Sequence, residues 1–157
     1  MTLTHDDIAA PGLRHLCDLE ATLGPMMVPG DVQAGQRRMV PITGGRVTGR
    51  LRGHVLNLGA DWQTILPDRA ELDTRYAIET EDGAVIDVRN FGIRHGPADV
   101  LDRVAAGEVV DPALYYMRTH PRLMTGDPRY EWLNRTILLG TGARLADRVL
   151  IRFYEVT

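Results

Sequence analysis

Five glycines, Gly44, Gly45, Gly49, Gly53 and Gly59, punctuate the β-rich run QRRMVPITGGRVTGRLRGHVLNLGADWQTIL at residues 36–66. Inside β sequence, glycine marks a bend, a bulge or a close backbone approach, because it has no side chain to pack or to clash. A sheet bent this often over so short a span is strongly curved, and a closed barrel is the architecture that needs several such points.

The remaining segments fit that expectation. LRHLCDLEATLG (13–24) alternates as a first strand, whereas PMMVPGDVQAG (25–35), with two prolines and two glycines, reads as a loop. LDTRYAIETEDGAVIDVRNFG (72–92) reads as two strands around an Asp82-Gly83 turn of the primed type. GPADVLDRVAAGE carries one short helix near 97–106. Pro97 sits at its start, Val100, Leu101 and Val104 share a face, and Gly107 lies past its end. ALYYMRTH, YEWLNRTILLG and DRVLIRFYEV read as three further strands. About eight strands and one helix make the class all-β. The expected architecture is an antiparallel closed or nearly closed β-barrel, with a sandwich as the alternative. The chain reads as one domain over 1–157, with residues 1–12 a loose lead-in.

Composition narrows the chemistry. The chain contains no lysine and no serine, so all 18 basic side chains are arginine. Lysine imines, a Walker phosphate loop and serine nucleophiles are therefore excluded. Arginine remains, a fixed fork of donors suited to carboxylates and oxyanions. The formal charge of −3 offers no basic excess for nucleic acid. No apolar run approaches the roughly 20 residues that span a bilayer, and the N-terminus lacks a signal-peptide pattern. The single cysteine, Cys17, excludes an internal disulfide, and the five histidines lack metal-ligand spacing. The expectation is a cytoplasmic protein with no metal, no membrane and no nucleic-acid partner.

The 72–92 hairpin puts charge on both faces. With Asp82-Gly83 as the turn, Arg75 pairs with Asn90 and Ile78 with Asp87. One face then carries Asp73, Arg75, Ala77, Glu79, Ile86, Val88 and Asn90. The other carries Tyr76, Ile78, Thr80, Val85, Asp87, Arg89 and Phe91. A barrel with a ligand-holding interior accounts for such mixing. The Arg75/Asn90 face is expected to look inward and the Tyr76/Ile78/Phe91 face toward a second subunit. A surface Arg75–Asp73 ion pair without function is the bland alternative.

RRMVPITGGRVTG, GADWQ, the hairpin, ALYYMRT and TGDPRYEWLNRT occur in one order that resembles the bacterial and fungal family known as domain of unknown function 3237. The resemblance runs from about residue 13 to the end. It implies a small β-barrel, often a homodimer, without an established cofactor. It also implies kinship with proteins to which cofactor-free cyclisation or addition to a double bond has been assigned. Its polar signature falls on Asp61 and Trp62, on Asp73 and Arg75, on Asn90, on Tyr116 and Arg118, and on Trp132 and Asn134. This chain departs from the pattern in a shortened GRLRG segment, in Asn57-Leu58, and in Leu123-Met124 where a Phe-Glu pair is expected.

With that resemblance, Asp61 is the first choice for a general acid or base, since a carboxylate beside an indole is open to desolvation. A turn aspartate capping amides is the alternative. Arg75 and Arg118 are candidates to stabilise a developing anion, or else are partners in structural ion pairs. Asp73, Asn90, Asn134 and Tyr116 are candidate substrate contacts, and Trp62 and Trp132 candidate walls, with core packing the ordinary account of the aromatics. The leading expectation is a cofactor-independent lyase, isomerase or cyclase acting by proton transfer on an organic molecule in the barrel. A lipocalin-like carrier of a small-molecule ligand is the rival, and a fully packed interaction module the third reading.

Overall fold

The computed structural model describes residues 1–157. Ten strands and one helix follow in order: β1 (Leu13–Leu23), β2 (Met27–Val32), β3 (Gly35–Gly49), β4 (Gly53–Val55), β5 (Ala60–Ile65), β6 (Ala70–Thr80), β7 (Val85–His95), α1 (Ala98–Ala105), β8 (Tyr116–Met124), β9 (Leu138–Arg144) and β10 (Arg148–Val156). All pairings are antiparallel. The sheet runs β1-β10-β9-β8-β7-β6, continues through β4 and β5 to β3, and closes where β3 pairs again with β1. β4 and β5 are two halves of one stave, each lying between β3 and β6. The result is a closed barrel of eight staves, with β2 as a flap on the far end of β3.

The glycines behave as closure points. Gly45, Gly53 and Gly59 all have φ near +140 to +160°. A Cβ on Gly59 would stand 2.0 Å from the Arg75 carbonyl oxygen, and one on Gly45 2.0 Å from that of Glu20. Only glycine allows those strands to approach so closely while bending.

Three expectations are corrected. Residues 27–32 form β2, because the backbone of this Pro- and Gly-containing segment still finds partners along β3. Residues 131–135 form a 3₁₀ turn rather than strand, and β9 begins only at Leu138. The 72–92 hairpin has a three-residue loop, not a two-residue one: Thr80 faces Ala84, the Gly83 amide donates to the Thr80 carbonyl, and Gly83 takes φ +88°. Register shifts by one as a result, and Arg75 sits opposite Arg89, Tyr76 opposite Val88 and Thr74 opposite Asn90.

A one-residue slip exchanges faces along one strand relative to the other. The inward face is in fact clean at one end: Tyr76, Ile78, Ile86 and Val88 are buried. Arg75, Asp87 and Arg89 point outward. The mixed faces of the sequence-based hairpin arise from the register, not from the barrel.

The interior has two halves. At the closed end Leu16, Leu51, Ile78, Ile86, Leu123, Leu133, Leu138 and Phe153 form a continuous apolar plug, nearly all without solvent exposure. Burial at this density supplies most of the barrel's stability, at about 1.5–3 kcal/mol per large side chain. At the other end α1 lies beside the opening, packing Val100 and Val104 on Ala70, Leu72, Val110, Tyr115 and Met117. No helix is long and apolar enough to cross a membrane.

Candidate functional site

Between plug and opening, the inward side chains become polar. Asp61 of β5 projects here beside Gln63. The Asp61 carboxylate accepts hydrogen bonds from Gln63 Nε2 at 2.7 Å and Thr74 Oγ1 at 2.8 Å. Both bonds favour the ionised form, yet burial outweighs them and raises the Asp61 pKa above the ordinary aspartate value. Arg94 and Arg144 lie near enough to oppose that rise without cancelling it.

Asp61 shares a small chamber with Gln63, Thr74, Tyr76, Asn90 and Thr119. Gln63, Tyr76, Asn90 and Thr119 are each more than nine-tenths buried. No protein group hydrogen-bonds Gln63 Oε1, Tyr76 Oη, Asn90 Oδ1 or Thr119 Oγ1. A buried polar atom without a partner costs about 1–3 kcal/mol, so four in one chamber are an unusual concentration for a folded core. Two glycines make the space. Thr119 lies opposite Gly92 on one side and Gly140 on the other, and a Cβ on Gly140 would meet Thr119 Oγ1 at 2.2 Å.

The chamber holds about 40 Å³, room for one functional group rather than a ring system. It opens past Val40, Gln63, Arg94 and Arg144 into a vestibule of about 500 Å³. The vestibule lies between α1, the β5–β6 loop and the β9–β10 loop. Its walls include Met26, Ile65, Leu66, Leu101 and Leu145, and its floor Arg38, Arg94 and Arg144. A second groove lies on the outer wall, where Asp18 pairs with Arg152 and Glu20 with Arg46, while Arg118 in its lining has no ion-pair partner. The buried polar atoms without protein partners lie in the inner chamber, not in this groove.

Of the residues expected from sequence, the structure brings Asp61 and Asn90 together. The others lie elsewhere. Arg75 is exposed on the outer face, as is Arg118, whose guanidinium lies 5.2 Å from the Tyr116 ring. Tyr116 stacks on His95 outside the barrel. Asp73 binds Arg89 with both oxygens at 3.2 Å, so the surface ion pair exists but with Arg89 rather than Arg75. Trp62 is 36% exposed on the outer wall. Trp132 packs on the closed end beneath Arg50. Asn134 has structural work, donating to the Thr125 carbonyl and accepting from its amide, both at 2.8 Å. Cys17 is buried and its thiol is pushed up to about 12 by desolvation.

Gln63, Thr74, Tyr76, Thr119, Arg94 and Arg144 escape a reading of the sequence alone. A signal exists in retrospect: Asn90-x-Gly92-x-Arg94 on β7 and Gly140-x-Gly142-x-Arg144 on β9 place small residues and then an arginine on one inward row.

Residues 11–156 match the model of a family described as a protein of unknown function, DUF3237, and the chain belongs to that family. A UPF0311 protein of Rhodopseudomonas palustris strain TIE-1 is 45% identical over 145 residues, covering 91% of this chain and 95% of that one. The crystal structure of a conserved protein of unknown function from R. palustris superposes with a TM-score of 0.91 at 42% identity, over 96% of this chain and all of that one. The crystal structure of an enzyme from Penicillium herquei has the same fold at 21% identity, with a TM-score of 0.71 over 96% of this chain and 97% of that one.

Proposed function

We propose that this protein is a cofactor-independent enzyme of the lyase, isomerase or cyclase type, with Asp61 as its proton-transfer group. The observation that carries the proposal is a desolvated, raised-pKa carboxyl at the wall of a chamber whose other polar atoms lack protein partners. An acid of this kind can give its proton to one atom of a bound molecule and take one back from another. The net change is a rearrangement or internal addition that needs no external oxidant or reductant. Gln63 and Thr74 position the carboxyl, and Tyr76, Asn90 and Thr119 hold the reacting polar group of the substrate. The body of the substrate occupies the vestibule, since the chamber admits only its reacting end. The enzyme from P. herquei is compatible support at the level of fold.

The test is incubation of wild type and Asp61→Asn with extracts of small molecules, followed by mass spectrometry and chromatography. Conversion by wild type alone, with both proteins folded, is the expected outcome. Equal conversion by Asp61→Asn removes Asp61 from the mechanism. A compound retained unchanged by both proteins favours the carrier, a reading for which the unpartnered polar atoms are also suited. A homodimer remains part of this proposal, seated on the outer wall that carries Trp62, Arg75, Phe91 and Tyr116. A monomeric mass in solution by light scattering would remove it.

A further inference from the structure

Arg94 and Arg144 stand at corresponding ends of β7 and β9, on either side of β8, and both line chamber and vestibule. Neither side chain has an ion-pair partner or a hydrogen bond to a protein group; at Arg144 it is the backbone amide, not the guanidinium, that donates to the Tyr115 hydroxyl. Each is desolvated; the positive charge of Arg94 bears on Arg144 and that of Arg38 on Arg94, while Asp61 opposes the effect at both. Placing like charges together in a partly buried space is costly unless an anion joins them.

The carboxylates at hand do not fill that role. Asp61 is held by Gln63 and Thr74 and its ionised form is disfavoured. Asp68 pairs with Arg69 and Asp147 with Arg148. Asp102 lies on the vestibule wall, on the exposed side of α1. The apolar walls belong to Met26, Ile65, Leu66, Leu101 and Leu145.

We infer that the vestibule binds an organic carboxylate. Its charged group lies on Arg94 and Arg144, and its apolar body lies against the wall formed by α1 and the β5–β6 loop. Guanidinium forks match the planar carboxylate with paired N–H donors, and their value rises where water is excluded. The inference deepens the proposed function by naming the substrate class, and rests on that reading for the consequence that this carboxylate is the molecule transformed. The binding itself stands on the arginine pair alone.

The test uses benzoate, 2-naphthoate and octanoate as probes, each beside its uncharged primary amide, with 2-naphthyl phosphate as a further arm, titrated calorimetrically into the whole protein. The expected result is a Kd below about 1 mM for at least one carboxylate and at least about tenfold weaker binding of its amide. Arg94→Gln and Arg144→Gln should each weaken that carboxylate about tenfold or more, while Arg122→Gln, on the outer wall, leaves it unchanged. Failure of all three carboxylates, equal binding of acid and amide, or binding of the phosphate alone overturns the inference. The amide comparison needs no variant, so it decides the matter even if an arginine substitution unfolds the barrel. Carboxylate binding with no Asp61-dependent turnover would sink the enzymatic reading and leave this one standing. Asp61-dependent turnover of a neutral compound, with no carboxylate preference, would do the reverse.

Discussion

Asp61 is a carboxyl placed where ionisation is costly. Its pKa in the folded chain is raised above the unfolded value. Between the two pKa values the native state therefore holds a proton that the unfolded chain has released, and stability falls as pH rises through that window. Above the folded pKa the whole penalty is present. Asp61→Asn removes it while keeping a side chain of the same shape beside Gln63 and Thr74. The variant should unfold at a higher temperature than wild type near pH 7, because the desolvation penalty on the charged form is gone. The gap should narrow as pH falls toward the ordinary aspartate value near 4 and close below it, where the residue is protonated in both states. Differential scanning calorimetry at the two pH values checks this, and an unchanged or lower midpoint at neutral pH would show that burial does not strain this carboxyl. Asp61 was legible in the sequence through its place in GADW. Its partners were not, because Gln63 and Thr74 are ordinary strand residues until the β5–β6 pairing sets them around it.

At the scale of elements, glycine spacing predicted curvature correctly and turn length incorrectly. Gly59 bends the broken stave against β6, with φ +141° and the Arg75 carbonyl where a Cβ would go. Gly59→Ala should cost about 3 kcal/mol or more, from the combined backbone and steric strain. Gly126→Ala, at a position with open space around it and no positive φ, should change stability by less than about 0.5 kcal/mol. Urea unfolding of both variants tests the contrast, and equal stability would mean that the sheet relaxes freely at Gly59. The hairpin shows the limit of local reading. Glu81-Asp82-Gly83 permits a two-residue primed turn or a three-residue turn with a left-handed glycine. Local sequence supports both. The longer loop is fastened by Thr80 Oγ1, which donates to Asp82 and accepts from the Ala84 amide, and by Tyr130 reaching Asp82 from a distant segment. Only it buries Tyr76, Ile78, Ile86 and Val88 together.

On the scale of the whole molecule, closure by β1 between β3 and β10 makes the N-terminal strand part of the core, whereas the residues before it contribute little. The 3₁₀ turn at His5–Asp7 buries nothing, and residues 1–10 are exposed throughout. Removing residues 1–10 should leave the free energy of unfolding within about 0.5 kcal/mol of the full chain, measured by urea denaturation. A larger loss would show that the lead-in supports the barrel. By itself the sequence determined the chemical repertoire, with arginine the only strong cation and no lysine or serine chemistry. It also determined the curved antiparallel class, through glycines set in β-rich runs, and through the family resemblance it offered nine candidate site residues, of which Asp61 and Asn90 share the chamber. The tertiary structure alone decided which side of each strand became the inside. It sent Arg75, Arg118, Tyr116 and Trp62 to the outer wall and gathered Tyr76, Thr119, Arg94 and Arg144 within. The physical reason is the two-residue period of the strand: a single step in register reverses inside and outside, and that step is fixed by burial and loop contacts between residues far apart in the chain.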